Sequence, residues 1–332
     1  MPGHEPLLSI RNLSVSFFTD RGEVPAVRDV SLTLSAGQTL ALVGESGCGK
    51  STVALAIMRL IEPPGRIVNG QILFKGQDLA TLPMLALQAI RGQSIGMIFQ
   101  EPMTSLNPVF TIGDQIGEML RIHRNLSERD TRTEVLGLLE KVGIPSPAQR
   151  IDQYPHELSG GMKQRIMIAI ALACQPDLLI ADEPTTALDV TIQAQILELL
   201  QMLQEEMRMA ILLITHNLGV VAQFADDVQV MYAGRIVESA DVQTLFAHPL
   251  HPYTQALLHA LPRRGYRASR LASIPGTVPS PLLYPPGCAF AARCPQVQDR
   301  CISQQPSLAP VKDGHAVECW LYDNETAFGV RK

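Results

Sequence analysis

Short alternations of apolar and polar residues open the chain and predict strands. Residues 8–18 (LSIRNLSVSFF) and 30–34 (VSLTL) carry the period of two expected of half-buried strands. Residues 40–43 are apolar throughout, which predicts a buried strand, and a Gly-rich loop and a helix over 51 to about 60 follow it. Residues 71–74 and 95–99 read as further strands. After Gln100 the period changes to that of helices. These are expected over 111–123 and 127–143, the second with Ser127 and Asp130 as a capping box and Val135, Leu138, Leu139 and Val142 as one apolar stripe. Another helix is expected after Ser159. Residues 178–181 and 211–215 are apolar strands, and between them Ile192, Ile196, Leu199 and Leu203 mark a helix capped by Asp189. Residues 228–232, an Ala-Gly turn and residues 235–238 predict a hairpin.

This order predicts an α/β core with a mostly parallel sheet, an inserted helical subdomain over about 101–170, and a change of character near residue 261. From 249 to 310 there are eleven prolines in 62 residues, a density that excludes long helices and central strands. At about 150 residues per domain, 332 residues suggest two domains, or one with an appendage. A composition of 46% hydrophobic and 18% charged residues excludes wholesale disorder. The net charge of −5 and the lack of a long basic run leave nucleic acid without support as a partner. The longest apolar run, 166–174, is far short of the roughly 20 residues of a spanning helix. No basic segment followed by an apolar core marks a signal peptide, so an intracellular protein is expected.

Three segments carry chemistry. Gly44-Glu45-Ser46-Gly47-Cys48-Gly49-Lys50-Ser51, followed by Thr52, fits G-x-x-x-x-G-K-[ST] between a strand and a helix. Backbone N–H groups of such a loop cradle phosphate oxygens, Lys50 adds positive charge, and the Ser51 hydroxyl is a candidate Mg²⁺ ligand. Cys48, beside Lys50 and before a helix N-terminus, is expected to lean toward thiolate and to be alkylated unless MgATP protects it, unless it is merely small filler. Residues 178–183 (LLIADE) form an apolar strand ending in two carboxylates: Asp182 is placed to hold Mg²⁺, and Glu183 to take a proton from attacking water. Ser159-Gly160-Gly161 opens a helix with bare amides, a second anion site.

Together these segments resemble the ATP-binding cassette family over at least residues 8–260. The resemblance implies a P-loop NTPase (RecA-like) α/β fold with an antiparallel β-subdomain and an inserted α-helical subdomain. It implies a nucleotide-binding domain over 1–260 and a Pro/Cys-rich C-terminal extension over 261–332. It makes 44–51 the Walker A, 178–182 the Walker B, 159–162 the signature motif and Ala187-Leu188-Asp189 the D-loop. Catalysis would fall to Lys50, Glu183, Gln100 (which also senses Mg²⁺) and His216. Phe17 would stack on adenine, with Phe18 as rival and plain strand packing as the alternative for both. Met162 and Asn217 depart from the commoner Gln and Asp. Two such domains pair head to tail, the signature motif of one closing over the ATP of the other.

Residues 101–108 (EPMTSLNP), 181–197, 251–258 (HPYTQALL) and 274–280 (IPGTVPS) strongly resemble the D-type ATPase subunits of dipeptide/oligopeptide importers. That implies ATP hydrolysis driving peptide import through two integral-membrane permease subunits, beside an F-type ATPase subunit. A periplasmic or extracellular peptide-binding protein would deliver substrate, and the chain would sit peripherally on the cytoplasmic face of the bacterial cell membrane. Importers of nickel, opines or glutathione share the subgroup. A soluble ATPase of translation or repair, and a nucleotide-binding regulator without turnover, are the readings from other classes.

Cys288, Cys294, Cys301 and Cys319 form the run C-x5-C-x6-C-x17-C, which fits no common zinc-ribbon spacing. In a reducing compartment a metal explains them better than disulfides. The resemblance implies a [4Fe–4S] cluster, with zinc and unligated thiols as alternatives.

Overall fold

The computed structural model describes residues 5–100, 105–186, 189–260, 274–312 and 314–323. These fall into two compact units. The first holds Leu34–Gln38 and Thr81–Leu213, with the described residues before Leu8. The second holds Leu8–Thr33, Thr39–Ala80 and the described residues from Ile214 onward. The expected boundary near 261 lies outside the described residues.

In the second unit, strands Leu8–Thr19, Gly22–Leu34, Gly65–Phe74 and Gln77–Asp78 form a four-stranded sheet with Leu8–Thr19 between Gly22–Leu34 and Gly65–Phe74. Leu8–Thr19 pairs antiparallel with Gly65–Phe74, from Leu8↔Phe74 to Phe17↔Gly65. Leu8 and Ile10, then Leu13 and Val15, are buried, the alternation shifting by one residue at an irregularity around Asn12, whose φ is 50°. Two of these strands are longer than the sequence suggests. Gly22–Leu34 starts eight residues early because its first half, GEVPAVRD, mixes Pro25 with charged positions. Gly65–Phe74 starts six residues early through the polar stretch GRIVNG.

The second unit also builds a sheet in the order Ala309–Lys312, His315–Val317, Arg235–Asp241, Asp227–Tyr232, Thr39–Val43. The expected hairpin is present, with Tyr232↔Arg235 flanking a turn in which Ala233 and Gly234 both have positive φ, 47° and 85°. Thr39–Val43 runs parallel to Asp227–Tyr232 and is wholly buried. The Pro-rich segment forms only short pieces, as its prolines require. Helix Pro252–His259 carries Pro at its first turn, where no N–H is needed, and Pro310 sits on an edge strand.

In the first unit, Ile95–Ile98 and Leu178–Asp182 pair parallel, Ile95 with Leu178 through Ile98 with Ala181, and Ala210–Thr215 lies next in order. Helices Ile112–Arg124, Glu128–Lys141, Gly160–Leu172 and Val190–Met207 belong to the same unit. Each starts at an oxygen that accepts an otherwise orphaned N–H: Thr111 from Asp114, Ser127 from Asp130, Ser159 from Met162 and Asp189 from Ile192. Val135, Leu139, Ile196, Leu199 and Leu203 are buried on the faces their spacing predicts.

Candidate functional site

Thr39–Val43 delivers the chain to Gly44, and two glycines are demanded by close backbone approach. A Cβ on Gly44 would lie 2.2 Å from the Met231 carbonyl oxygen, and one on Gly49 would lie 2.4 Å from that of Ala26. Their φ values are +157° and +109°. Helix Lys50–Ile57 follows with no side-chain cap, so its N-terminal amides are presented to an anion, as a phosphate loop requires. Lys50 is 4% exposed. Its ammonium donates to the carbonyls of Gly44 (2.8 Å) and Glu45 (3.0 Å) and approaches Cys48 Sγ at 3.7 Å. Ser46 and Gly47 are exposed, while Ser51 and Thr52 are half-buried at the start of the helix.

Cys48 corrects an expectation. It is 1% exposed, and burial pushes its thiol up, outweighing the pull of Lys50 in the other direction. Sequence shows the neighbouring Lys50 but not the desolvation that the fold imposes. Phe17 is half-buried over Gly65, where an added Cβ would meet its ring at 2.5 Å, and Phe18 lies on the surface with the Arg66 guanidinium 4.3 Å from its centroid. His216 follows the buried strand Ala210–Thr215 and is exposed. Asn217 caps helix Leu218–Phe224, its Oδ1 accepting from Gly219 (3.0 Å) and Val220 (3.4 Å), so the departure at this position keeps an N-cap acceptor.

In the first unit, Asp182 ends a buried strand at 4% exposure. The next residue, Glu183, has φ +47°, and its Oε2 accepts from Gln100 Nε2 at 3.2 Å and from Thr186 Oγ1 at 2.8 Å. The structure thus brings Gln100 and Glu183 together across 83 residues of sequence. Thr186 was missed by sequence reasoning, although its place three residues after Glu183 was a usable signal. Gln164, also missed, is buried and donates to the Pro184 carbonyl, tying the helix that starts at Ser159 to the Asp182–Glu183 turn. Gly161 lies against Ile192, whose Cγ2 would be 3.1 Å from an added Cβ. Ala187 and Leu188, like residues 101–104, lie outside the described residues.

Residues 27–186 match the family model "ABC transporter", and residues 237–301 match "Oligopeptide/dipeptide transporter, C-terminal region". The chain is 52% identical to the dipeptide transport ATP-binding protein DppD of Bacillus subtilis, over 98% of both chains. The chain belongs to the ABC transporter family. This ABC ATPase is also 51% identical to the oligopeptide transport ATP-binding protein AppD of Bacillus subtilis, over 97% of this chain and 98% of the relative. It is 54% identical to a putative peptide import ATP-binding protein of Brucella ovis, over 95% and 97%. Among solved structures, the ATP-binding cassette MJ0796, a dimer in a post-hydrolysis state bound to ADP and Pi, superposes with a TM-score of 0.64 at 26% identity, over 71% of this chain and 98% of that one. The cassette cbiO1 of Clostridium perfringens gives 0.62 at 27%, over 74% and 92%. The P-loop NTPase fold read from the motifs is borne out. Among the described residues no helix is long and apolar enough to cross a membrane.

The expected [4Fe–4S] cluster in the cysteine tail of this ABC ATPase finds no support. Among the described residues no group of three or more His, Cys, Asp or Glu is placed to hold a metal ion. Cys288, Cys294, Cys301 and Cys319 do line one cavity, with Phe290 and Trp320, but its volume is about 20 Å³, room for about one water molecule. None of the six cysteines is in a disulfide. Burial pushes the thiols of Cys288, Cys294 and Cys319 up, Cys288 to about 12 and Cys319 to about 11. Packing contacts hold this segment. Phe290 packs edge-to-face on Tyr232 and tilted against Tyr253 at centroid distances of 5.3 and 5.4 Å, the Cys288 N–H donates to the Cys301 carbonyl, and Arg300 lies 4.5 Å from the centroid of the Trp320 ring.

Proposed function

We propose that this ABC ATPase is the ATP-hydrolysing subunit of a bacterial importer for dipeptides or oligopeptides. The match to a dipeptide transport ATP-binding protein at 52% identity over 98% of both chains carries the reading, because it takes in the phosphate loop and the C-terminal region alike. The assignment covers 1–260 as the nucleotide-binding domain and 261–332 as the extension. The chain acts beside two integral-membrane permease subunits and pairs with an F-type ATPase subunit. A peptide-binding protein presents the substrate, and the chain lies peripherally on the cytoplasmic face of the cell membrane.

The site residues support hydrolysis. The backbone of Gly44–Thr52, with Glu45, Ser46, Gly47, Cys48 and Gly49 between, suits a polyphosphate, since Ser46 and Gly47 are exposed and the helix that follows has no side-chain cap on its N-terminal amides. Lys50 supplies the charge. Ser51, Gln100 and Asp182 are the hydroxyl, amide and carboxylate oxygens that a Mg²⁺ ion takes; bound with ATP, that ion would neutralise developing phosphate charge. Glu183 accepts the proton of attacking water, held for that task by Gln100 and Thr186. His216 serves the γ-phosphate, Phe17 the adenine, and Ser159, Gly160, Gly161 and Asp189 the nucleotide of the paired subunit. Affinity purification of the chain from its membrane tests the assignment. Two multispanning proteins and a second ATPase should come with it, and recovery as a lone ATPase or on ribosomes would overturn it.

A further inference from the structure

Arg293 belongs by sequence to the Pro/Cys-rich extension, immediately before Cys294, yet its side chain ends in the phosphate loop 248 residues away. Its Nη1 donates to Glu45 Oε2 at 2.7 Å and its Nη2 to Glu45 Oε1 at 3.0 Å, a two-pronged pair. The remaining donors are also engaged: Nε with the Pro275 carbonyl (2.9 Å), Nη1 with Tyr232 Oη (3.3 Å) and Nη2 with the Ile274 carbonyl (3.4 Å). The Arg293 side chain is 4% exposed. Glu45 is gripped at two more points, its N–H donating to Tyr253 Oη at 2.9 Å and its carbonyl accepting from Lys50 Nζ at 3.0 Å.

A carboxylate in a phosphate loop is an electrostatic oddity. It opposes the charge that the loop gathers, unless a cation cancels it. A guanidinium cancels it and also fixes its plane, which a lysine would not. The IPGTVPS segment supplies two of the carbonyls that orient Arg293, and Gly276 there would bring an added Cβ to 3.2 Å from Arg293 Cγ. Thus the C-terminal segments singled out in the sequence converge on one loop residue.

We propose that Arg293 is a positioning residue for the phosphate loop: it neutralises and orients Glu45, so that the C-terminal extension sets the affinity of the loop for ATP. This rests on the ATPase reading above. The alternative is a plain cross-link that holds the extension down.

Calorimetric titration of the full chain with MgATP separates the two. Arg293→Ala should weaken binding by roughly tenfold or more, in the usual range of coupling between sites. Arg293→Ala with Glu45→Gln should recover most of that loss, because the uncancelled carboxylate is gone. Arg293→Lys should fall between, and it decides the matter if the alanine variant does not fold. Unchanged affinity in the folded single variants, or an equal loss with and without Glu45→Gln, would overturn the proposal. Failure of the unaltered chain to bind MgATP would instead overturn the ATPase reading.

Discussion

Glu183 sits on left-handed backbone where a buried strand turns, and two donors, Gln100 and Thr186, hold one of its oxygens. A carboxylate fixed in this way can take a proton only in one direction. Glu183→Gln should therefore keep ATP binding and cut turnover in the assembled transporter by roughly 10² or more; near-normal hydrolysis would remove it as the base. Cys48 makes the opposite case. Its burial holds it as a thiol, so maleimide labelling of the native chain should be slow with or without MgATP. Rapid labelling that MgATP prevents would restore the thiolate reading. The candidate residues that could be read from sequence, Gly44 to Ser51, Asp182 and Glu183, lie in short runs whose spacing is itself the chemistry. Arg293 and Gln164 could not be read, because their partners, Glu45 and Pro184, are near only in the folded chain.

The helices follow from local signals. Ser127 accepts from the Asp130 N–H at 3.3 Å and donates to the Asp130 carboxylate at 2.7 Å on an exposed surface, so its loss should act through the cap alone. Ser127→Ala should cost about 1 kcal/mol, a drop in Tm of about 2–4 °C by calorimetry. An unchanged melting curve would show that the helix is held by its buried face of Val135 and Leu139. The wholly buried strands Thr39–Val43 and Ala210–Thr215 could be read to within one residue because an apolar run has few other uses. The long strands of the four-stranded sheet could be read only in part. Their polar ends, GEVPAVRD and GRIVNG, are paired by tertiary contact and carry no period. The edge strand Ala309–Lys312 and its neighbour His315–Val317 could not be read for the same reason, with Pro310 arguing locally against the first.

On the scale of the second unit, the C-terminal region is ordered by an aromatic layer of Tyr232, Tyr253 and Phe290 beside the buried His251. His251 accepts the Tyr253 N–H at 3.0 Å, and burial pushes its pKa down to about 3. It is neutral in the fold, whereas the unfolded chain binds its proton below about pH 6.5. Stability is therefore lost as pH falls from about 6.5 toward 3, by about 2 kcal/mol at pH 5 relative to pH 7 from this group. His251→Asn, which keeps an acceptor for the cap, should flatten that slope in thermal melts; an unaltered slope would assign it elsewhere. The fold class and the family could be read from the motifs because they specify one arrangement of phosphate loop and acidic strand. The state of the four cysteines could not, since spacing alone does not say whether the folded chain brings their sulfurs into a metal-holding arrangement.

The most direct test of the central claim is ATP turnover in proteoliposomes holding this chain, its paired ATPase and both permease subunits, with and without peptide-loaded binding protein. Peptide-loaded binding protein should raise turnover several-fold, and Glu183→Gln should abolish the rise. Turnover that ignores the peptide-loaded binding protein, or that survives Glu183→Gln, would contradict the account.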